Sequence, residues 1–228
     1  MAAITEHTGL VTEQSGHALA VGQDLGAETR QTYDAIAAEY ARQNSVAAAE
    51  VAERLDELAG SVPAGSVVAD IGCGPGRDVM MLRTRGLHVA GVDLSLGQLR
   101  ASEVAGLIQA DMRRLPLQAG SVHGIWCWAA LMHLPREAAP RAFAEFARII
   151  RSGGSLVMSI AEGDGEGHEA ATHYGSYQRR WFTRYREPEF TALLAAAGFS
   201  IRNIRLHRAY RMRNWLSVHA TREAARPE

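Results

Sequence analysis

Residues 67–82 read VVADIGCGPGRDVMML. The short apolar run Val67, Val68, Ala69 leads to Asp70. Gly72, Gly74 and Gly76 follow, and then a helical pattern carries Val79, Met80 and Leu82. This is a buried strand, a tight turn and a helix start. Glycines at such a turn allow a sharp change of direction and let a ligand approach the backbone closely. The spacing is Gly-x-Gly-x-Gly, not the Gly-x-Gly-x-x-Gly of a dinucleotide site. No lysine follows, and all 24 basic residues of the chain are arginine. A phosphate-loop lysine, a Schiff-base lysine and a lysine general base are therefore excluded.

Outward from this stretch the pattern alternates. Downstream come a strand in HVAGVDLS, a helix in LGQLRASEV, strands in GLIQADM and HGIWCWAA, and a helix in PREAAPRAFAEFARIIRSGG. A strand in SLVMSIAE, a helix in EPEFTALLAAAGF and two closing strands in SIRNIRLHRAY and NWLSVHATR complete the series. Near-continuous apolar strands separated by helices predict a parallel sheet covered on both faces. The last two strands have no helix between them, so they are expected to pair as a hairpin. Upstream, TRQTYDAIAAEYARQ and SVAAAEVAERLDELAG predict two helices, the second stopped by Gly60 and Pro63. The fold class is α/β: a doubly wound, Rossmann-like, seven-stranded and mostly parallel sheet with an antiparallel last strand and an N-terminal helical lid. Residues 1–28 form a mobile or lid segment, and 29–228 a single domain in which 161–185 is a long loop.

Length, charge and composition narrow the classes. The chain has 228 residues, 47% hydrophobic residues and a formal net charge of −1, so no global field favours nucleic acid or membrane. No apolar run reaches bilayer-spanning length. The N-terminus lacks the basic start and apolar stretch of a signal peptide, which predicts a cytoplasmic protein. The two cysteines, Cys73 and Cys127, suit neither a disulfide framework nor zinc.

The acids after the glycine turn carry the ligand reading. Asp93 ends the second strand, where a carboxylate can accept from both hydroxyls of a ribose. Asp111 ends the third strand, a position suited to the rim of an adenine pocket. With VVADIGCGPGRD, VAGVDLS, IQADMRRLPL, HGIWCWAALMHLPR and FARIIRSGGSLVMSI in this order, residues 30–220 resemble the class I S-adenosylmethionine-dependent methyltransferases of small-molecule type. The resemblance implies S-adenosyl-L-methionine as cofactor, S-adenosyl-L-homocysteine as product, and a glycine turn that holds methionine and not phosphate. It implies that Asp70, Gly72, Cys73 and Gly74 line the methionine part, with Arg77 in reach of the carboxylate. Asp93 and Leu94 would hold ribose and adenine, Asp111 and Met112 the adenine, and Cys127 and Trp128 would lie under the sulfonium. Tyr33 and Tyr40 match an element that closes over the cofactor. IRSGG departs from the family, where a proline often precedes the glycines, and Ser152 there is expected to alter the turn only.

His133, just past the fourth strand, is the candidate catalytic residue. Its natural pKa suits proton removal from an acceptor; the alternative is a histidine that positions a loop. The acceptor pocket is expected from Trp128, His133, Tyr174, Tyr177, Trp181 and Tyr185, since long polar loops carry function and aromatic faces suit planar or cationic acceptors. His168 and His173 with Glu162, Asp164 and Glu166 read as a solvated loop, and no metal site is assigned. The function expected is methyl transfer to an O or N atom of a small molecule, in specialised metabolism. The alternatives are a non-transfer reaction on the same fold, such as cyclisation, and a nucleic-acid methyltransferase. The fourth strand lacks the Asn/Asp-Pro-Pro-aromatic signature of the latter. Monomer and homodimer both stay open.

Overall fold

In the computed structural model, residues 25–209 and 213–224 are described; residues 1–24 of the expected N-terminal segment lie outside them. The strands are β1 (Val67–Ile71), β2 (His88–Asp93), β3 (Ile108–Gln109), β4 (Val122–Trp128), β5 (Ile150–Ala161), β6 (Glu166–Ala170), β7 (Arg179–Thr183), β8 (Phe199–Ala209) and β9 (Arg213–Arg222). The helices are α1 (Leu25–Ala35), α2 (Ala37–Gln43), α3 (Ala49–Gly60), α4 (Arg77–Arg83), α5 (Leu96–Arg100), α6 (Ala139–Ile149) and α7 (Glu187–Ala196).

Seven strands form one sheet in the order β3-β2-β1-β4-β5-β9-β8. β1 pairs in parallel with β2 and β4, and β4 with β5. β9 alone runs antiparallel to its neighbours β5 and β8. The strand alternation explains why both faces are covered. Along β4, Ile125 and Cys127 point to the cluster built with Phe143, Phe146 and Phe190 of α6 and α7. Trp126, between them, points to the opposite cluster with Leu55 and Leu58 of α3 and Val79 and Leu82 of α4. Strand order reverses between β1 and β4, and in such sheets the crevice outside the strand ends there is where ligands bind.

Four elements differ from expectation, the first being β5, which begins at Ile150 within the stretch read as the end of a helix. The first expected helix is two, α1 and α2, broken at the buried Ile36. β3 keeps only two of the seven residues of GLIQADM. The stretch 161–185, read as a loop, contains a second sheet: β6 and β7 pair antiparallel, with Gly167 opposite Phe182 and Glu169 opposite Arg180. β6 has almost no apolar residues of its own, so its structure comes from pairing with β7, where Trp181, Phe182 and Thr183 are buried. Among the described residues, no helix is long and apolar enough to cross a membrane.

Candidate active site

The site begins with the turn after β1. The backbone N–H groups of Gly72 and Cys73 both donate to Val92 O, at 2.7 and 3.0 Å. Gly72 has φ +79°, and a Cβ there would lie 2.2 Å from Ala130 Cβ. Only glycine fits both the left-handed backbone and the contact with the chain leaving β4. Asp93, at the end of β2, ties this turn to the next helix. Its Oδ2 accepts from Gly74 N and its Oδ1 from Ser95 N, each at 2.8 Å. Burial raises its pKa, opposed by those two N–H groups. Ser95 then caps α5, its hydroxyl accepting from Gln98 N at 3.1 Å, a common N-cap arrangement.

Two joined chambers open over these elements. The smaller, about 100 Å³, is lined by Asp93, Leu94, Gln98, Asp111 and Met112 among others. The larger, about 440 Å³, is lined by Cys73, Arg77, Met132, Tyr174, Arg180 and Phe182 among others. Tyr33, Tyr40, Gly72, Gly74, Trp128 and His133 wall both, so the chambers meet there. Asp111 is turned onto Arg113, whose Nε lies 3.0 Å from both carboxylate oxygens. Burial pushes Asp111 up, but the bonds from Arg113 outweigh it and its pKa is lowered. Arg77 is committed to Asp78, at 2.7 Å, and to Asn44 O, at 3.2 Å.

Five residues picked from the sequence line neither chamber. Asp70 lies beneath the turn, 2% exposed, and is pushed well above the usual carboxylate range by burial and then by Asp78 and Asp93. Cys127 faces the core, and burial pushes its thiol up to about 12. Tyr177 is on the surface, 93% exposed. Trp181 is buried, donating its indole N–H to Thr183 Oγ1 at 3.1 Å. Tyr185 is buried against Phe190, with the Arg136 guanidinium over its ring. For Trp181 the reason is strand parity: β7 turns Arg180 and Phe182 to the chamber and Trp181 and Thr183 away from it. Arg180 was missed because RRWFT was not read as a strand, and alternation was the signal that would have found it. The loop acids are engaged elsewhere: Arg186 Nη1 donates to Glu162 at 2.6 Å and its Nε to Asp164 at 3.0 Å. His168 Nε2 lies 2.7 Å from Glu28. Among the described residues, no cluster of His, Cys, Asp and Glu is placed to hold a metal ion.

At the junction of the chambers, three polar side chains form a chain. His133 Nδ1 lies 2.8 Å from Trp181 O. A carbonyl only accepts, so Nδ1 carries the proton and Nε2 is a bare acceptor. The Tyr33 hydroxyl, 2.8 Å away, donates to that Nε2. The same hydroxyl accepts from Arg180 Nη1 at 2.7 Å. Burial, then the charge of Arg180, lowers the pKa of His133 from 6.5 to about 3. Between those two values the unfolded chain binds a proton that the folded chain refuses. Stability therefore falls as pH drops through that window and levels off below it. Urea unfolding across the window should show a smaller loss in His133→Asn than in the wild type.

α1 holds Tyr33 by bonds on two sides. On the α5 side, Asp34 Oδ1 accepts from Ser95 Oγ at 2.6 Å and Gly97 N at 2.7 Å, and Gln98 Nε2 donates to Tyr33 O at 3.1 Å. On the β7 side, Trp181 N donates to Thr29 Oγ1 at 3.1 Å, and Thr32 Oγ1 donates to Arg179 O. Hydrogen bonds to a charged group contribute about 1.5–3 kcal/mol each. Asp34→Ala should therefore release α1 to protease at least about tenfold faster, while the thermal transition of the sheet moves little.

Comparison with known proteins agrees with this architecture. Residues 68–154 match the family model described as a methyltransferase domain. Methyltransferase GfsG of Streptomyces halstedii is 31% identical over 118 residues, 47% of this chain and 40% of that protein. A malonyl-[acyl-carrier protein] O-methyltransferase of Laribacter hongkongensis is 30% identical over 148 residues, 57% of this chain and 49% of that protein. The chain thus spans less than half the length of either relative. Among solved structures, the 1,6-didemethyltoxoflavin-N1-methyltransferase of Burkholderia thailandensis, with bound 1,6-didemethyltoxoflavin and S-adenosylhomocysteine, shares the fold. Its TM-score is 0.72 at 21% identity, over 90% of this chain and 92% of that one. The matched domain includes β1, α4, β2 and β4, where the glycine turn and Asp93 lie, so residues 68–154 are similar to a methyltransferase domain and the chain shares the fold of solved S-adenosylmethionine-dependent methyltransferases.

Proposed function

We propose that this chain transfers a methyl group from S-adenosyl-L-methionine to an oxygen or nitrogen atom of a small molecule seated in the larger chamber. The observation that carries the proposal is the meeting of the two chambers at Gly72, Trp128 and His133. One chamber is then available to a nucleoside and the other to an acceptor. The residues of the smaller chamber fit the cofactor. Asp93 uses two of its roughly four acceptor sites on backbone N–H groups. Gln98 Oε1 is buried with no hydrogen-bond partner among the described residues. Both are acceptors waiting for donors such as ribose hydroxyls or an adenine amino group. Gly74 stands at φ +53°, a left-handed backbone that favours glycine.

When bound, the cofactor supplies a methyl group already activated on a sulfonium. The chain's own work is alignment and exclusion of water. Tyr33 and Tyr40, carried by α1 and α2, close the junction; Trp128 and His133 wall it, and Met132 lines the larger chamber beyond. His133 takes the acceptor's proton at Nε2 across the Tyr33 hydroxyl, which passes its own proton to the imidazole as it receives the acceptor's. The small-molecule class is supported by the size of the larger chamber and by the Laribacter and Burkholderia proteins, whose names specify a carrier-bound and a small-molecule acceptor. A place in the cytoplasm and in specialised metabolism belongs to the same reading.

Calorimetric titration with S-adenosylmethionine, S-adenosylhomocysteine and NADH tests the cofactor half. Binding of the first two and not the third is expected; NADH binding alone would overturn the reading. Once an acceptor is found by methyl-transfer screening, His133→Ala and Tyr33→Phe should slow turnover and leave cofactor affinity near normal. Unchanged turnover in both would remove the proton route.

A further inference from the structure

The larger chamber contains a cation that no carboxylate among the described residues neutralises. Arg180 projects from β7 into the chamber, with its guanidinium carbon 5.7, 5.9 and 5.6 Å from the ring centroids of Tyr33, Tyr174 and Phe182. Among the described residues, its one hydrogen bond is to the Tyr33 hydroxyl, and its Nε is buried with no partner. No carboxylate among them lies within ion-pair distance. The three carboxylates lining this chamber besides those of the cofactor half are already engaged. Asp78 is held by Arg77 and by the Trp126 indole N–H at 3.0 Å. Glu50 lies 2.7 Å from His207 Nδ1. Glu169, directly across the ribbon from Arg180, pairs instead with Arg184.

A guanidinium presents five donors in a rigid fork matched to two oxygens. Removing it from water without an anionic partner is costly, and aromatic faces offset only part of that cost. An arrangement that spends one donor on a phenol, buries another unpaired and faces a chamber of about 440 Å³ is a half-built anion site. We propose that Arg180 receives an anionic oxygen of the methyl acceptor, a carboxylate or an ionised enol, on a planar molecule packed between Tyr174, Phe182 and Trp128. This rests on the methyltransferase reading and names the acceptor's chemical class. It also bears on proton transfer, because the charge of Arg180 is one cause of the low basicity of His133. An anion on Arg180 offsets that charge and makes Nε2 of His133 a better proton acceptor for a second, neutral hydroxyl or amine of the same molecule.

The probes are benzoate and 2-naphthoate, set against their neutral isosteres benzamide and 2-naphthamide. Each is titrated calorimetrically into the wild type, Arg180→Gln and Arg180→Lys, with and without saturating S-adenosylhomocysteine. The expected result is a preference of about tenfold or more for the acids in the wild type. It should vanish in Arg180→Gln, persist in part in Arg180→Lys, and leave S-adenosylhomocysteine affinity unchanged. Equal or absent binding of acids and amides by the wild type overturns the proposal, as does a preference that survives in Arg180→Gln. Collapse of S-adenosylhomocysteine affinity in Arg180→Gln also overturns it, by assigning the cation to the cofactor's carboxylate. A wild type that fails to bind S-adenosylhomocysteine counts against the methyltransferase reading, while the acid–amide comparison without it still reads Arg180.

Discussion

Asp93→Ala should reduce affinity for S-adenosylhomocysteine by about a hundredfold to ten-thousandfold, since two hydrogen bonds to a charged acceptor contribute about 1.5–3 kcal/mol each. The loss has two sources. The free carboxylate sites facing the smaller chamber disappear, and so does the clamp that joins Gly74 N to Ser95 N. Asp93→Asn should be nearly as damaging. Both carboxylate oxygens accept from backbone N–H groups, and an amide NH₂ cannot accept, so one backbone donor would face another donor. Calorimetry reads the affinity, and thermal unfolding of the same variants separates the two sources. A variant that binds normally would remove Asp93 from the site.

Gly72→Ala should be strongly destabilising for a single added methyl group. The backbone stands at φ +79°, where an L-residue costs about 1–2 kcal/mol. The new Cβ would also sit 2.2 Å from Ala130 Cβ, and forced overlap of this kind costs about 1–3 kcal/mol. The turn cannot retreat, because Gly72 N and Cys73 N are both bonded to Val92 O. Urea unfolding should show a destabilisation of about 2–5 kcal/mol from the two effects together, with weakened S-adenosylhomocysteine binding. Ala130→Gly in the same chain removes the overlap and leaves the backbone strain. The double variant should therefore recover about a third to three quarters of the loss, a coupling that a double-mutant cycle measures directly. No recovery would mean that the contact with Ala130 is not what restricts position 72.

The parts legible in the sequence are those that local chemistry dictates. The apolar run of β1, the glycines after it and the acid ending β2 are each recognisable within a few residues, because strand burial and turn geometry are local. The β8–β9 pairing is legible because no helix intervenes. The ribbon β6–β7 is not: Glu166, Gly167, His168 and Glu169 have no apolar period, and their strand exists only through the partner. That miss carried a second one with it, since the side of β7 that faces the chamber follows from parity, and parity needs a strand. The chain Arg180–Tyr33–His133 lies still further from view. Its members are 147 and 100 positions apart, and no spacing rule spans such a distance. Asp70 and Cys127 illustrate the opposite error, in which a residue next to a motif is buried beneath it.

The bonds that α1 makes toward α5 and toward β7 belong to one helix, so the two chambers share a single closing element. Ordering that helix has one conformational cost, and whichever ligand arrives first and favours the docked helix bears it. The second then binds to a helix already ordered. This is positive cooperativity without contact between ligands, and linkage makes it reciprocal. An acceptor would tighten the cofactor by the same factor as the cofactor tightens the acceptor. Once the methyl has moved, the same sharing works in reverse: departure of either product loosens the helix over the other.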